Sequence, residues 1–135
     1  MIEKYFNDES LKNYSKYIEF INNNPGKGYL KVRASAANEA IPISNINIKI
    51  TKNIGNYRVI FYEGKTDYSG MINDIVLPSP RKIINDEVAP NFTDYNLHAT
   101  GSSQNIDLNY TISICCGITV IQYINVTPKG LEYGY

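Results

Sequence analysis

From position 29 to position 126 the sequence alternates between apolar and polar residues, and this period of two is the feature that most constrains the fold. Successive side chains of a β-strand point to opposite faces of a sheet, so alternation predicts strands with one buried and one solvated face. The clearest example is "INIKIT", in which Ile46, Ile48 and Ile50 alternate with polar residues. Seven such segments occur, at 29–35, 46–51, 57–66, 71–77, 94–100, 105–114 and 118–126.

Strands this short, separated by hairpin-like connections, predict an antiparallel two-sheet sandwich. We expect its core to contain the inward-facing residues Ile46, Ile48, Ile50, Val59, Phe61, Leu77, Leu97 and Ile114. A chain of 135 residues is long enough to bury such a core in a single domain without disulfide bonds. We place the sandwich at residues 28–128, after an N-terminal helix and linker at 1–27 and before a tail at 129–135.

A different period precedes the strands. Within positions 7–24, Leu11, Tyr14, Ile18 and Ile21 follow the spacing of three and four residues that is typical of an amphipathic helix. A lone helix of this length is marginal in water and must bury its apolar face. We expect that face to contact either the chain's own sandwich or a partner protein.

The charge balance and the hydropathy exclude two classes of partner. Thirteen basic and thirteen acidic residues give a net charge of zero, so nothing in the composition attracts nucleic acid or an anionic membrane surface. No apolar run approaches the length of a membrane span. The N-terminus "MIEKYFNDES" lacks the basic and apolar regions of a secretory signal, which predicts synthesis in the cytoplasm without a signal peptide.

No catalytic or metal-binding arrangement stands out in the sequence. His98 is the only histidine and is predicted to face outward, whereas zinc sites require several nitrogen or sulfur ligands. No G-x-S-x-G, phosphate-binding or dinucleotide-binding motif occurs. Asp67 lies in "TDYSG", where a hydrogen bond to the backbone is the ordinary role of an aspartate, with a calcium site as the alternative. The sequence therefore predicts no enzyme, no metal and no cofactor.

The two cysteines are adjacent, at the start of "CCGITVIQYINVTP". If the preceding strand continued through them, Cys116 would face the core and Cys115 the solvent. A disulfide between neighbours needs a strained ring, and two thiols cannot complete a tetrahedral zinc shell. We therefore expect a buried Cys116 and an exposed Cys115, with a disulfide from Cys115 to another chain as the alternative.

Surface tyrosines offer another kind of site, a platform on which carbohydrate could stack. The candidates are Tyr62, Tyr68, Tyr123, Tyr133 and Tyr135. Tryptophan is absent and the chain is rich in tyrosine throughout, so roles in the core or no special role are favoured.

Five segments, in order, resemble transthyretin-like domains of the carboxypeptidase-regulatory type. They are "GYLKVRASAANEAIPISNINIKIT", the "T-D-x-x-G" turn at Thr66, Asp67 and Gly70, "IVLPSP", "YNLHATG" and "CCGITVIQYINVTP". The last is similar to "F-P-G-I-T-x-x-Q", a pattern of the β domain of spore cortex-lytic enzymes and related peptidoglycan-associated proteins of endospore-forming bacteria. The resemblance spans residues 28–128 and implies a seven-stranded transthyretin-like sandwich, in which the cysteines replace a Phe-Pro pair.

The same resemblance implies a non-catalytic structural or targeting module, deposited in the spore or cell envelope at the cortex, coat or peptidoglycan. The alternatives are a self-assembling coat or appendage subunit, which would use exposed strand edges, and a carbohydrate-binding module. The expected partner is another protein or a second copy of the chain, with peptidoglycan as a further candidate. The helix residues Leu11, Tyr14, Ile18 and Ile21 and the thiol of Cys115 are the candidate interaction sites.

Overall fold

The alternating segments form two β-sheets that pack face to face in a computed structural model, which describes residues 5–7, 11–37, 40–81, 91–101 and 105–126. The elements in these ranges are β1 (Tyr5–Asn7), α1 (Ser15–Asn23), β2 (Gly26–Ala36), β3 (Ile41–Pro42), β4 (Asn47–Ile54), β5 (Tyr57–Lys65), β6 (Met71–Ser79), β7 (Thr93–Gly101), β8 (Ile106–Ile114) and β9 (Thr119–Asn125). The predicted fold class, a mostly β two-sheet sandwich with an N-terminal helix, is confirmed.

Sheet A contains five strands in the order β1-β5-β4-β7-β8. Its three central pairings are antiparallel, and β1 lies parallel to β5 at one edge. A bulge between Ile50 and Thr51 shifts the register of β4 against β5. Beyond a bulge the bulged strand bends and twists more strongly, so the outer face of the sheet is not flat at this point.

Sheet B is built around β2, with β6 antiparallel on one side and β9 parallel on the other. The short strand β3 continues alongside the end of β2, where Ile43 N–H donates to Ala34 O at 3.0 Å. The prediction of seven strands, all antiparallel, is therefore corrected by the parallel pairs and by the addition of β1 and β3. The parallel β2–β9 pairing arises because the chain crosses from sheet A to sheet B between β8 and β9.

Only the first of the two predicted boundaries of the sandwich, at residue 28, can be compared with the structure. β2 begins at Gly26, which pairs with Ser79, so sheet B starts before the boundary predicted at residue 28. The predicted tail at 129–135 lies outside the described residues. In the part of the chain that is described, no helix has the length and apolar character needed to cross a membrane.

The core lies between the sheets and matches the alternation. Seven of the eight predicted core residues are buried, namely Ile46, Ile48, Ile50, Val59, Leu77, Leu97 and Ile114. The eighth, Phe61, is the extra residue of the bulge, without a partner on β4, and it is partly buried and packs against the same core. Tyr95 joins the two sheets, since its ring is 2% exposed and its hydroxyl donates to Pro78 O at 2.5 Å.

The helix is shorter than predicted, and three of the four residues of the predicted stripe, Leu11, Tyr14 and Ile21, pack against the sandwich. It begins at Ser15, after a turn in which Tyr14 N–H donates to Leu11 O at 2.8 Å. Leu11 is buried in that turn, but Ile18 is 43% exposed. The predicted stripe is therefore wrong at Ile18, and Tyr14 and Ile21 are only partly buried.

The face of α1 that packs on the sandwich carries the buried Tyr17 and the half-buried Phe20 and Ile21, and Asn24 is buried at the C-cap. The Phe20 ring lies 5.6 Å from the ring of Phe61, and Asn24 accepts a hydrogen bond from Thr93 Oγ1 at the start of β7. A large aromatic ring buries more apolar area than Ile18 would, which accounts for the burial of Tyr17. The helix thus docks on its own sandwich, the first of the two sites expected for it.

Candidate functional site

The "T-D-x-x-G" turn is engaged entirely in supporting the backbone. Thr66 is buried, and its Oγ1 accepts from Ile46 N–H at 3.0 Å and donates to Ile43 O at 2.8 Å. The carboxylate Oδ1 of Asp67 accepts from the N–H groups of Ser69 and Met71. These bonds tie the carboxylate to the backbone of its own turn, which is the ordinary role expected for Asp67.

Gly70 completes this turn because its position admits no side chain. Its φ of 75° is a conformation that favours glycine. A Cβ would also lie 2.4 Å from Ala34 O, on the neighbouring strand β2. The family turn motif at Thr66, Asp67 and Gly70 is therefore structural in this chain.

The cysteines lie in the turn that carries the chain from β8 in sheet A to β9 in sheet B. Both thiols are free and both are half-buried, so the predicted contrast between a core Cys116 and an exposed Cys115 is wrong. The alternation stops at Ile114, where β8 ends, and therefore does not extend to the cysteines. Cys116 packs its Sγ against Gly26, where a Cβ would lie 2.9 Å away.

The predicted surface residues do not come together into one site. His98 faces outward on sheet A, as predicted, and its Nε2 lies 2.6 Å from Asp107 Oδ1. Tyr68 is 94% exposed in the turn before β6, Tyr123 lies on β9, and Tyr62 is half-buried. Tyr133 and Tyr135 lie outside the described residues. Among the residues that are described, no group of three or more His, Cys, Asp or Glu side chains is placed to hold a metal ion.

A polar cleft on the outer face of sheet A is the strongest candidate for a binding site, and we call it the sheet-A cleft. It encloses about 350 Å³ and is lined by Thr51, Lys52, Asn53, Arg58, Asp94, Tyr95, Asn96 and Thr111. Four neighbouring strands supply these residues, which meet through the strand register. Thr51 lies opposite Asn96, which in turn lies opposite Thr111.

The acidic and basic groups of the cleft are held in place by the fold. Asp94 Oδ1 accepts a hydrogen bond from Ser113 Oγ at 2.6 Å, and Lys52 Nζ donates to the backbone oxygen of Asp94 at 2.7 Å. Lys52 also lies over the rings of Phe20 and Tyr95, at 5.9 and 5.7 Å. Burial lowers the pKa of Lys52, and the charge of Asp94 opposes part of that shift. The lysine is thus part of the wall of the cleft and is anchored to β7.

Thr51 is the unusual residue of the cleft. Its side chain is 2% exposed, and its Oγ1 has no hydrogen-bond partner. Buried hydroxyl groups are normally hydrogen-bonded, because an unpaired buried polar atom costs roughly 1–3 kcal/mol. Beside it, the guanidinium of Arg58 and the amide of Asn53 face each other across the β4–β5 pairing.

The chemistry of the cleft suits a small anionic group with neighbouring polar atoms. A guanidinium matches the geometry of a carboxylate, and hydroxyl and amide side chains can both donate and accept hydrogen bonds. Sequence inspection missed this site because its residues belong to no motif. The available signal was the run "TKN" in β4, where outward positions of a buried strand are polar next to the bulge.

Comparison with known proteins finds a solved structure with a similar fold but does not assign the chain to a family. No protein-family model matches the chain, and no curated protein matches its sequence. Among solved structures, the fold is similar to that of 5-hydroxyisourate hydrolase from Klebsiella pneumoniae, with 10% sequence identity and a TM-score of 0.45. The match covers 76% of this chain and 92% of that chain. Likeness at this identity concerns the fold alone.

The prediction that this chain is not an enzyme is contradicted by that similarity and is not retained. The matched protein is a hydrolase, and a fold by itself does not decide whether a chain is an enzyme. At this level of similarity no reaction is transferred to the chain. Its activity has to be argued from its own residues.

Proposed function

We propose that this chain is a binding module of the cell or spore envelope, whose sheet-A cleft holds a carboxylate-bearing part of peptidoglycan. The observation that carries the proposal is the hydroxyl of Thr51, which lines the cleft, is buried and has no hydrogen-bond partner. The hydroxyl has almost no contact with solvent, so a ligand atom bonds to it only after a small movement of the cleft wall, and that bond removes the cost of the unpaired group. The site therefore gains more from a polar ligand than its exposed neighbours do.

The other residues of the cleft support the same class of ligand. Peptidoglycan combines carboxylates on its peptides with the hydroxyl and amide groups of its sugars. Arg58 is suited to a carboxylate, and Asn53, Asn96 and Thr111 are suited to hydroxyl and amide groups. The resemblance of five ordered segments to peptidoglycan-associated β domains supports the envelope as the place of action.

Binding to purified peptidoglycan tests the proposal, by co-sedimentation of the protein with intact sacculi. Thr51→Val keeps the shape of the side chain and removes the unpaired hydroxyl, so it should not lower the melting temperature. We expect it to weaken binding several-fold. Arg58→Gln should weaken binding further and reduce its dependence on salt, because it removes the positive charge.

Thr100→Val is the matched control, since Thr100 faces outward on the same strand β7 as Asn96 but does not line the cleft. It should bind sacculi as the unmodified chain does. The proposal is wrong if the unmodified chain fails to co-sediment. It is also wrong if Thr51→Val and Arg58→Gln bind as well as Thr100→Val while remaining folded.

A further inference from the structure

The strand β9 forms an open edge of sheet B in the described part of the chain. It pairs with β2 along its whole length, from Tyr29 opposite Thr119 to Ser35 opposite Asn125, without a bulge. No other described strand pairs with it. An edge strand of this kind presents a row of backbone N–H and C=O groups to its surroundings.

β9 lacks the features by which proteins usually protect an edge. Its sequence "TVIQYIN" contains no charged residue and no proline. The opposite edge strand of the same sheet, β6, has all three common protections, which are a bulge facing β2, a charge at Asp74 and a proline at Pro78. Long, uncharged edges rich in β-branched and aromatic residues pair readily with another strand.

The hydrogen bonds to β2 show which residues of β9 are available for pairing. Tyr29 N–H donates to Ile118 O at 3.0 Å, and Val126 N–H donates to Ser35 O at 2.8 Å. Even-numbered residues of this segment therefore turn their backbone groups toward β2. Because these groups alternate in direction along a strand, those of Thr119, Ile121, Tyr123 and Asn125 point away from the sheet.

We propose that a second copy of this chain occupies the edge, with β9 pairing antiparallel to β9 of the other copy. In a two-fold arrangement centred on Gln122, Thr119 lies opposite Asn125 and Ile121 lies opposite Tyr123. This register joins outward-pointing residues only with one another, which is the requirement for an antiparallel ladder. The two three-strand sets β6-β2-β9 then form one continuous sheet of six strands.

The side chains favour a copy of the same chain as the occupant. Ile121 and Tyr123 are 49% and 41% exposed on the outer face of sheet B. The proposed register places each of them beside the other across the dimer axis, and pairs of a β-branched and an aromatic residue stabilise neighbouring strands. The strand has no charge and the chain has a net charge of zero, so two copies do not repel each other.

In the single chain, the side chain of Gln122 hydrogen-bonds to one backbone carbonyl of the open edge. Its Nε2 donates to Tyr123 O at 3.0 Å, which is one of the carbonyl groups that the second copy would use. Pairing replaces this side-chain bond with a backbone bond, so the gain on association is reduced. The dimer should therefore dissociate on dilution.

The full-length chain, kept under reducing conditions, tests the proposal by sedimentation equilibrium over a range of concentrations. We expect the mass of two chains at high concentration and of one chain on dilution. Ile121→Lys places a charge at the centre of the proposed interface and should raise the dissociation constant at least tenfold. Val76→Lys is the matched control, because Val76 is 46% exposed on the same face but lies on β6.

Hydrogen exchange identifies the edge directly, because the amides of Ile121 and Tyr123 should exchange more slowly as concentration rises. Ile121→Lys should abolish that dependence without changing the melting temperature of the dilute protein. The proposal is overturned if the chain has the mass of a monomer at all concentrations, which would leave the edge to another segment or partner. It is equally overturned if Val76→Lys dissociates the dimer and Ile121→Lys does not.

Discussion

The two outer faces of the sandwich carry opposite chemistry, although the same alternation produces both. On sheet A the outward side chains are polar and bond to one another across strands. Ser113 Oγ donates to Asp94 Oδ1 at 2.6 Å, and Asn96 Nδ2 donates to Asn109 Oδ1 at 3.3 Å. The sheet-A cleft lies on this face beside Thr51, whose buried hydroxyl has no hydrogen-bond partner.

On sheet B large apolar side chains occupy several outward positions on β2, β6 and β9, among polar ones. Tyr29 on β2 lies opposite Val76 on β6, and both are more than 40% exposed. Ile121 and Tyr123 continue the apolar surface on β9. The difference teaches that alternation identifies which residues face outward. The chemistry of those residues then indicates which kind of ligand or partner can bind to the face. One face is suited to a polar ligand and the other to a protein surface.

The largest expected effect comes from the residue that joins the two sheets and so supports both faces. Tyr95→Ala removes a buried ring and leaves a cavity, and it should lower the free energy of unfolding by about 3–5 kcal/mol. Tyr95→Phe keeps the ring and loses only the bond to Pro78 O, so it should cost roughly 1–2 kcal/mol. Urea unfolding measures both. Equal losses for the two variants would show that the hydroxyl, and not the ring, holds the sheets together.

Alkaline pH should weaken the same junction. Burial raises the pKa of Tyr95, with a smaller contribution from Tyr17, so the folded chain keeps this phenol protonated where the unfolded chain does not. The resulting stability is present below about pH 10 and is lost as the pH rises further. The lowered pKa of Lys52 acts in the opposite direction, because folding disfavours its charged form.

We therefore expect the free energy of unfolding to fall between pH 9.5 and 11, roughly the range in which unfolded tyrosine ionises. The fall should be less steep in Tyr95→Phe. Some slope should persist in that variant, since burial also raises the pKa of Tyr62 and Tyr110. A slope unchanged by Tyr95→Phe would assign the effect to those other tyrosines.

Exchanging one outward residue on each face should alter surface chemistry more than stability. Val76→Thr on sheet B and Asn109→Val on sheet A change exposed positions, so each should shift the free energy of unfolding by about 0.5 kcal/mol or less. Retention on a hydrophobic-interaction column should fall for the first variant and rise for the second. Identical retention of the two variants would contradict the contrast between the faces.

The smallest effect is expected at the pair formed by His98 and Asp107. The carboxylate side chain is 74% exposed, so solvent screens the interaction despite a separation of 2.6 Å. Asp107→Asn should change the free energy of unfolding by no more than about 0.5 kcal/mol. A loss above 1 kcal/mol at pH 6 that disappears at pH 8 would show a stronger charge pair than the exposure suggests.

The sequence was informative where burial alone decides the structure. Alternation located seven strands and their core, because the side-chain period of a strand is two whatever its partners are. The phase of α1 was not predictable in the same way. The four-residue stripe through Leu11 and Ile18 assumed a helix from residue 7, whereas the helix begins at Ser15 and buries Tyr17 in place of Ile18.

The residues of the sheet-A cleft are brought together by the pairing of strands, and the periodicity of a sequence does not show which strands pair. Thr51 and Arg58 become neighbours of Asp94 only through the register of β4 with β5, shifted by the bulge at Phe61, and the register of β4 with β7. The predicted burial of Cys116 and exposure of Cys115 was wrong for a related reason. The strand ends at Ile114, so its alternation does not apply to the cysteines. Fold class was thus predictable from local pattern, and the site was not.

The parallel pairing of β2 with β9 has a consequence for how the chain folds during synthesis. β2 leaves the ribosome well before its partner β9, which is the last described strand. One side of β2 therefore remains unpaired while the five strands from β4 to β8 are made, whereas the β4–β5 hairpin can form as soon as its own residues emerge. Contacts between segments so distant in sequence slow folding. Until β9 arrives, the nascent chain exposes the apolar strand that a chaperone would recognise.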